Sequence, residues 1–241
     1  MVIIAHRGFH DGKRIPPNSL TAFRRAALLG VDGVEFDVRR TADGVVIVHH
    51  DRSPLPRVTK ENLVQRLTHE MMMRLHVEYH PSDIAADAVP TLDQAIDALP
   101  APITLHIEIK CEDVRSDGIE SAVLEILERR RVVERTILST FNPFTLRRLR
   151  RLAPDVRTAL LFHGKQSRPF RKAWAATALK PFAVHPERRT VDADSLEKWH
   201  ERGYRVHPWT VNDRAEMRRL AKLGVDGIIT DRPDVAIELL R

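Results

Sequence analysis

Short apolar segments alternate with amphipathic segments along most of this 241-residue chain, and this alternation restricts the possible folds more than any other feature. The apolar segments have the length of strands, as Val2-Ile3-Ile4 does, and the segments between them repeat apolar residues at helical spacing, as residues 119–129 do. Strands that are separated by helices usually pair in parallel. The pattern therefore predicts an α/β fold in which the carboxyl ends of the strands meet on one side.

The joint between a helix and the following strand recurs near both ends of the chain. Residues 24–37 resemble residues 218–231, and each stretch contains the sequence Gly-Val-Asp-Gly. Equivalent steps at both ends favour a closed TIM-type (β/α)8 barrel, a fold of about 250 residues, over the alternative of an open doubly wound sheet. Nine strand candidates compete for eight places. We expect the extra one to be half of a hairpin or one of the weaker candidates between residues 157 and 185.

Residues 52 to about 88 interrupt the alternation. They contain prolines, residues of mixed polarity and the run Met71-Met72-Met73, which we interpret as a short helix whose methionines fill a packing gap. We expect this stretch to be a small insertion after the third strand rather than a second domain, so that residues 1–241 form a single barrel domain.

The composition limits the compartments and partners that we expect. No apolar run approaches the roughly 18 residues that span a bilayer, the first residues lack the pattern of a signal peptide, and Cys111 is the single cysteine. These features predict a cytoplasmic protein without a transmembrane segment. The formal net charge is +6, but the arginines are dispersed and aromatic residues make up only 5% of the chain, so we expect solvated helix faces and no nucleic-acid partner. The sequence does not indicate an oligomeric state.

Polar residues stand where several of the predicted strands end. The first strand runs into Ala5-His6-Arg7-Gly8, which places an imidazole and a guanidinium at its carboxyl end, where α/β proteins bind ligands. The next strand contains Glu35-Phe36-Asp37, whose two carboxylates lie on one face because side chains alternate along a strand. A later strand has Glu108 and Lys110 on one face in the same way.

The three carboxylates indicate a metal site. Carboxylates that face inward at a barrel rim are costly unless a cation or another partner pairs with them. Glu35, Asp37 and Glu108 are oxygen ligands of the kind that Mg²⁺ or Ca²⁺ prefers. A structural ion pair between Glu108 and a basic residue is the alternative interpretation.

The sequence His49-His50 follows the predicted third strand, and hairpin geometry decides which histidine belongs to the site. With a two-residue turn, residue 50 falls opposite residue 35 or 37, so His50 shares the face of the carboxylates and His49 points away. A three-residue turn would exchange the two histidines. We favour His50 as the site residue.

The candidate site combines two histidines, three carboxylates, Arg7 and Lys110. Two imidazoles suit the roles of general base and general acid near neutral pH. A divalent ion together with Arg7 and Lys110 would stabilise an anion, most naturally a phosphate. The chain has no Gly-rich phosphate loop, nucleotide fingerprint or Gly-x-Ser-x-Gly elbow. Metal-assisted cleavage of a phosphodiester is the reaction class that fits best.

The chain resembles the glycerophosphodiester phosphodiesterases through motifs that occur in the family order from end to end. The motifs are His6-Arg7-Gly8, Glu35-Phe36-Asp37, Asp43-Gly44 leading to His50-Asp51, Leu55-x-Arg57-x-Thr59, Pro90-Thr91-Leu92, Glu108-Ile109-Lys110, Trp209-Thr210-Val211-Asn212 and Gly227-Ile228-Ile229-Thr230-Asp231. The resemblance implies a TIM barrel with a small insertion after the His-Asp strand. It also implies hydrolysis of a small-molecule glycerophosphodiester to glycerol 3-phosphate and an alcohol.

The resemblance further implies a role for each site residue. By this resemblance, His6 and His50 are the acid/base pair, and Glu35, Asp37 and Glu108 hold the divalent ion. Arg7 and Lys110 contact the phosphate, and Trp209 lines the mouth of the barrel. One departure concerns Pro17-Asn18-Ser19, which stands where the family usually has Glu-Asn-Thr, so that the family glutamate is absent.

Other candidate residues are less closely tied to this pattern. His163 and His185 end predicted strands and could reach the substrate, but their tract, with Lys165, does not align with the substrate-binding positions of the family. His106 shares the face of Glu108 lower on the strand, so we expect it to pack in the core. Cys111 has no assigned base partner, which disfavours a nucleophile.

Two alternatives to this function come from different classes. The substrate could be a lysophospholipid or another phosphodiester, which an exposed apolar patch at the barrel mouth would favour. The chain could also be a non-catalytic barrel that binds RNA or anionic lipid through its arginines. Both histidines and all three carboxylates argue against the second alternative, since charge binding needs none of them.

Overall fold

The computed structural model describes residues 1–79, 89–164 and 174–241, and in them nine strands form one sheet. The strands, numbered in chain order, are β1 Val2–His6, β2 Gly33–Arg40, β3 Val46–Val48, β4 Thr104–Ile109, β5 Thr136–Thr140, β6 Arg157–Phe162, β7 Ala183–Pro186, β8 Arg205–Val206 and β9 Gly227–Thr230. All except β3 pair in parallel, in the order β8-β7-β6-β5-β4-β2-β1-β9. The predicted (β/α)8 architecture is confirmed.

The sheet curls into a nearly closed barrel whose two ends meet between β8 and β9. The amide of Asp226 donates to the carbonyl of Val206 over 3.1 Å, and that of Ile229 donates to the carbonyl of Pro208 over 2.9 Å. The sequence predicts a strand over residues 204–211, but this prediction is wrong in extent, since the ladder contains Arg205–Val206 alone. Pro208 has no N–H to donate to a ladder, which accounts for the irregular backbone there.

The extra strand is β3, which forms a hairpin. It pairs antiparallel with β2 through Val38 and Val48, Arg39 and Ile47, and Arg40 and Val46, and it lies outside the barrel order. The expectation that one of the nine strand candidates is half of a hairpin is therefore confirmed.

Helices connect most of the parallel strands. Within the described residues they are α1 Leu20–Leu29, α2 His69–Tyr79, α3 Leu92–Ala98, α4 Ile119–Arg130, α5 Pro143–Leu152, α6 Trp174–Leu179, α7 Ala193–His200, α8 Arg214–Leu223 and α9 Pro233–Leu240. Ser19, Thr91 and Asp213 cap α1, α3 and α8 by accepting an amide hydrogen bond, which is a common role for these residue types at the start of a helix. None of the described helices is long and apolar enough to cross a membrane.

Apolar side chains fill the space between the helices and the outside of the barrel. One cluster includes Phe23 and Phe36, and a second includes Phe162 and Trp199. Phe36 separates Glu35 and Asp37 on β2, and its outward packing against Phe23, with ring centroids 5.2 Å apart, leaves both carboxylates on the inner face.

The segment between β3 and α3 contains a 3₁₀ turn, Val64–Arg66, and helix α2. Val64 and Met72 pack against Ile47 of β3 in a small apolar cluster of their own. Met72 is fully buried and Met71 is exposed, which fits the expected packing role of the methionine run. The end of the predicted insertion, residues 80–88, lies outside the described residues, as does Lys165.

Candidate active site

A cavity of about 160 Å³ opens at the carboxyl-terminal rim of the barrel. Its polar lining consists of His6, Arg7, Glu35, His50, Glu108 and Lys110, and its apolar lining of Phe141, Leu161, Trp209 and Ile229. Of the site residues predicted from the sequence, only Asp37 is not part of the lining. It lies behind the wall, in contact with Arg7 and Lys110.

The backbone turns sharply where β1 ends. Arg7 and Gly8 have positive φ angles of 56° and 85°. A Cβ at position 8 would lie 2.8 Å from the Cβ of Ala22 in α1, which is closer than real atoms approach. Glycine is therefore required here both by the left-handed backbone and by the close packing of this turn on α1.

Three carboxylates converge at the floor of the cavity. Glu35, Asp37 and Glu108 each offer one oxygen, and these oxygens lie within 4.8 Å of one another. No member of the group is more than 6% exposed. Strand register causes the convergence, because Asp37 and Glu108 are direct neighbours across β2 and β4 and Glu35 lies two residues earlier on β2.

The positive charge around Glu35 and Glu108 is too small to offset the effects of burial and of the neighbouring carboxylates on their pKa values. Burial, together with the charges of Asp37 and Glu108, raises the pKa of Glu35 well above its ordinary value. Burial also raises the pKa of Glu108 to about 7, although the ammonium of Lys110, 2.7 Å from its Oε1, opposes the shift. Such shifts are typical of functional sites in which like charges are held close together.

Asp37 has the opposite balance of charges. Burial alone would raise the pKa of Asp37, but Lys110 and Arg7 hold it well below its ordinary value. The Nζ atom of Lys110 is 3.0 Å from Oδ1, and the Nε atom of Arg7 is 3.2 Å from Oδ2. Asn18, held at a positive φ of 62°, donates from Nδ2 to Oδ2 over 2.9 Å. An ionised Asp37 thus fixes the positions of the two cations that border the cavity.

A divalent cation fits this cluster. The Oε2 atom of Glu35 is buried and has no hydrogen-bond partner among the described residues, and its contact with Nε2 of His6 is 3.8 Å long. A buried carboxylate oxygen without a partner is costly, and a cation shared by three carboxylates removes that cost. The donor set consists of oxygens alone, which suits a hard ion.

His6 is oriented by Asp231, the last residue of the motif 227–231, to which the sequence interpretation assigned no role. The Nδ1 atom of His6 is 2.6 Å from Oδ1 of Asp231, and Asn212 donates to Oδ2 of the same carboxylate over 2.6 Å. Asp231 directly follows β9, the barrel neighbour of β1. The internal repeat could have identified it, because residues 24–37 and 218–231 align Asp231 with Asp37.

The turn of the hairpin is longer than the two residues that we expected, and this changes which histidine lies opposite Asp37. The ladder pairs Val38 with Val48, and the amide of His49 donates to the carbonyl of Asp37 over 2.9 Å. His49, rather than His50, is therefore opposite Asp37, because residues 41–45 make a longer turn. His50 nevertheless lines the cavity, since β3 ends at Val48 and the strand alternation no longer applies to the residues after it.

Two contacts hold the His50 segment in place. The guanidinium of Arg39 donates from Nε and Nη2 to the carbonyl of His50 over 3.0 and 2.9 Å, and it also pairs with Glu112 over 2.6 Å. The Nδ1 atom of His50 lies 2.8 Å from Oδ1 of Asp51, whose side chain is 74% exposed. The backbone of His50 is thus anchored more firmly than its ring.

Aromatic side chains form one wall of the cavity. Trp209 donates from Nε1 to the carbonyl of His185 over 2.8 Å, and its ring meets that of Phe141 edge to face at 5.5 Å. Phe141 follows β5 and was not singled out in the sequence. His163 borders this wall through a ring contact of 6.0 Å with Phe141.

Three other histidines lie inside the barrel, away from the cavity. His106, His185 and His207 are 2%, 0% and 4% exposed, and their rings contact one another. The idea that His185 reaches the substrate is wrong, because its ring is enclosed by this cluster. His106 packs in the core as expected.

The single cysteine shows no sign of activation. Burial raises the pKa of the Cys111 thiol, which disfavours the reactive thiolate at neutral pH. This agrees with the expectation that Cys111 is not a nucleophile.

The sequence matches a known family model over almost its whole length. The model of the glycerophosphoryl diester phosphodiesterase family matches residues 6–235. The chain is 33% identical over 242 residues to the glycerophosphodiester phosphodiesterase of Caldanaerobacter subterraneus subsp. tengcongensis, an alignment that covers 100% of this chain and 98% of the relative.

Solved structures share the fold. A glycerophosphodiester phosphodiesterase from Parabacteroides distasonis superimposes with a TM-score of 0.80 and 25% identity, covering 99% of this chain and 96% of the other. An Oleispira antarctica phosphodiesterase, solved in complex with the product sn-glycerol-3-phosphate, superimposes with a TM-score of 0.78 and 25% identity, covering 99% and 97% of the two chains.

Proposed function

The chain belongs to the glycerophosphoryl diester phosphodiesterase family, and on this basis we propose that it hydrolyses a glycerophosphodiester to glycerol 3-phosphate and an alcohol. In the net reaction the bond between phosphorus and the alcohol oxygen breaks, a hydroxyl from water stays on phosphorus, and a proton passes to the alcohol. The main support is the position of His6 and His50 on one cavity whose floor holds the three carboxylates.

Arg7 and Lys110 are assigned to the substrate phosphate. Both side chains line the cavity, and both are held by Asp37 before any substrate binds. Fixed cationic donors stabilise a phosphate more strongly as negative charge builds up on its oxygens in the transition state. Asp37 therefore supports catalysis through these two residues as well as through its own charge.

Glu35, Asp37 and Glu108 are assigned to a Mg²⁺ or Ca²⁺ ion. Such an ion supplies Lewis-acid stabilisation of a phosphate when it is bound. The three buried carboxylates offer more negative charge than Lys110 and Arg7 neutralise, as the raised pKa values of the two glutamates indicate. Both ions accept carboxylate oxygens, with Mg²⁺ demanding the more regular octahedral geometry.

The two histidines divide the proton transfers. Nδ1 of His6 contacts Asp231 and Nε2 lies 3.8 Å from Glu35, so the ring lies between two carboxylates, and we assign His6 to protonate the leaving alcohol. Burial, assisted by Lys110 and Arg7 and opposed by Asp37, lowers the pKa of His50. A neutral His50 is suited to accept the proton of the attacking hydroxyl, whether of water or of the substrate's own glycerol.

Hydrolysis of defined substrates tests the proposed function. Glycerophosphocholine and glycerophosphoethanolamine should release glycerol 3-phosphate in the presence of Mg²⁺ or Ca²⁺, and chelation should stop the reaction until the ion is restored. Unchanged hydrolysis after chelation would contradict the metal assignment. Failure to cleave any glycerophosphodiester with either ion would contradict the function.

A second substrate class has support from the surface beside the cavity. Val114 and Phe144, which are 62% and 48% exposed, line a groove together with Phe141, and this groove also includes Glu108 and Lys110. An apolar groove that joins the catalytic cavity favours a diester with an acyl chain, such as a lysophospholipid. Comparison of kcat/KM for lysophosphatidylcholine and glycerophosphocholine distinguishes the two classes.

Replacement of Asp231 should show whether this residue orients His6 or contributes to substrate binding. We expect Asp231→Asn to lower kcat by about 100-fold with little change in KM, because an amide no longer holds His6 in one orientation and tautomer. Asp51→Asn is the matched control, since the exposed contact of Asp51 with His50 should contribute far less. Equal losses in the two variants, or a loss confined to KM, would contradict the assigned role of Asp231.

The dependence of kcat/KM on pH should report the protonation of His50. Because the pKa of His50 is lowered from the ordinary 6.5 and the neutral ring is the active form, kcat/KM should fall towards acid pH with a midpoint below pH 6.5. Saturating metal in the assay keeps protonation of the carboxylates from limiting the rate. A midpoint of the acid limb above pH 6.5 would contradict the assignment of His50 as the proton acceptor.

A further inference from the structure

The interior histidines His106, His185 and His207 form a cluster that the proposed reaction does not use. They lie on β4, on β7 and directly after β8, and all three are buried. His106 is two residues before Glu108 on the same strand face, so the cluster lies nearer to the amino ends of the strands than the carboxylates do.

The ring nitrogens are spaced as metal ligands are. One nitrogen from each ring lies within 4.8 Å of the other two. The Nδ1 atom of His207 and the Nε2 atom of His185 are 3.3 Å apart. Two nitrogens bound to the same tetrahedral Zn²⁺ ion at its usual bond length are also about 3.3 Å apart.

The hydrogen bonds of His106 determine which of its nitrogens is free to bind a metal. The hydroxyl of Thr104 donates to the carbonyl of Asp32 over 3.0 Å, and Oγ1 of the same residue is 3.2 Å from Nε2 of His106. Since that hydroxyl has one proton, Nε2 of His106 is the donor in the second contact and Nδ1 has the lone pair. Nδ1 is buried and has no hydrogen-bond partner among the described residues.

The protonation states of the cluster agree with this role. The three rings are almost completely enclosed, and burial disfavours the charged imidazolium, so the favoured form is the neutral ring, which is the form that ligates metals.

Two glycines make room for the rings. A Cβ at Gly33 would meet Oγ1 of Thr104 first, at 2.5 Å, and would lie 3.0 Å from Cδ2 and Nε2 of His106. A Cβ at Gly227 would meet the side chain and the carbonyl of Val2 first and would lie 3.1 Å from Cδ2 of His207. Both glycines have ordinary backbone angles, since neither has a positive φ. Close packing against Thr104, Val2 and the imidazoles, rather than turn geometry, therefore explains the glycine at these strand positions.

We propose that His106, His185 and His207 form a second metal site, for a nitrogen-preferring cation such as Zn²⁺, separate from the oxygen site of the three carboxylates. Three neutral imidazoles suit Zn²⁺ or Co²⁺ and not Mg²⁺ or Ca²⁺. The site ties β4 and β7 to the segment after β8, next to the place where the barrel closes through irregular backbone hydrogen bonds. Its role is structural, because no member of the cluster lines the catalytic cavity.

Metal binding to the full-length protein in saturating Mg²⁺ tests the proposal. Titration with Co²⁺ should produce one equivalent of visible absorption typical of low-coordinate nitrogen ligation, and Zn²⁺ should displace it and raise Tm. X-ray absorption of the Zn²⁺-loaded protein should show three imidazole nitrogens at about 2.0 Å. Absence of Co²⁺ and Zn²⁺ binding, or a shell of oxygens only, would overturn the proposal, whether or not variants fold.

Variants assign the binding to the cluster. His106→Asn keeps a group that can donate to Thr104, and it should weaken Zn²⁺ binding by about 100-fold or more. Glu108→Gln, in the carboxylate site, and His69→Asn, at the start of α2, should leave the Zn²⁺ affinity unchanged. Binding that survives His106→Asn, or that Glu108→Gln or His69→Asn abolishes, would place the ion elsewhere and overturn the proposal.

Discussion

Alanine at position 6 or position 50 is expected to lower kcat for glycerophosphodiester hydrolysis by about 10³-fold, the middle of the range for loss of a general acid or base. Both rings line the cavity, and His50 is anchored there by the bonds from Arg39 to its carbonyl, which alanine preserves. Steady-state kinetics at pH 7 with saturating metal measures the effect. His6→Asn keeps a polar partner for Asp231 and should be as inactive as His6→Ala.

His49 provides the matched control for His50. It precedes His50 in the chain, its Nε2 atom lies 3.4 Å from the carbonyl of Ser53, and it is not part of the cavity lining. We expect His49→Asn to retain activity within about tenfold, less than the loss of a proton-transfer group. Near wild-type hydrolysis by a folded His6→Ala or His50→Ala would contradict the acid/base assignment.

The two carboxylates of β2 should respond oppositely to amide substitution. Glu35→Gln removes a buried charge whose Oε2 has no partner in the described residues, so the metal-free protein should be at least as stable as wild type. Asp37→Asn leaves Lys110 and Arg7 without their shared counter-ion and should cost about 3 kcal/mol, the loss typical of a broken buried ion pair.

Both substitutions should nevertheless abolish metal-dependent activity. Each removes one of the three ligands, and we expect kcat/KM at fixed Mg²⁺ to fall by about 100-fold or more, since metal stabilisation of a phosphate amounts to several kcal/mol. Urea unfolding with and without Mg²⁺ provides the second readout, and the ion should stabilise wild type alone. Full activity of Glu35→Gln would contradict the assignment. A free energy of unfolding for metal-free Glu35→Gln below that of metal-free Asp37→Asn would also contradict it.

The fold could be predicted because the signals behind it are local. The period of the apolar residues separates strands from helices, and Gly30 and Gly224 end equivalent helices in the left-handed conformation. The short ladder of β8 could not be predicted in this way. Its extent depends on how the barrel closes against β9, which is a contact between distant parts of the chain.

The candidate site was predictable where a strand determines the direction of a side chain. Alternation alone places Glu35 and Asp37 together on one face of β2. The same reasoning gave the wrong hairpin register, because the register depends on the length of the turn, which the sequence of residues 41–45 leaves open. His50 reaches the cavity only because the chain leaves the strand before it.

Residues that act through another residue were the hardest to predict. Asp231 contacts His6 across a separation of 225 positions, and Asn18 contacts Asp37 from a loop. The alternation of side chains along a strand predicts neither contact, because both depend on the closed barrel bringing separate strand ends together. The imidazole cluster escaped prediction for the same reason, since its members come from three strand regions.

Identification of the products in ¹⁸O-labelled water tests the central claim most directly. With glycerophosphocholine and saturating metal, ³¹P NMR should show glycerol 3-phosphate with the label on phosphorus, and mass spectrometry should show an equal amount of unlabelled choline. His6→Ala and His50→Ala should form these products about 10³-fold more slowly. Phosphocholine and glycerol as products, label in the alcohol, or near wild-type turnover by either folded variant would contradict the account.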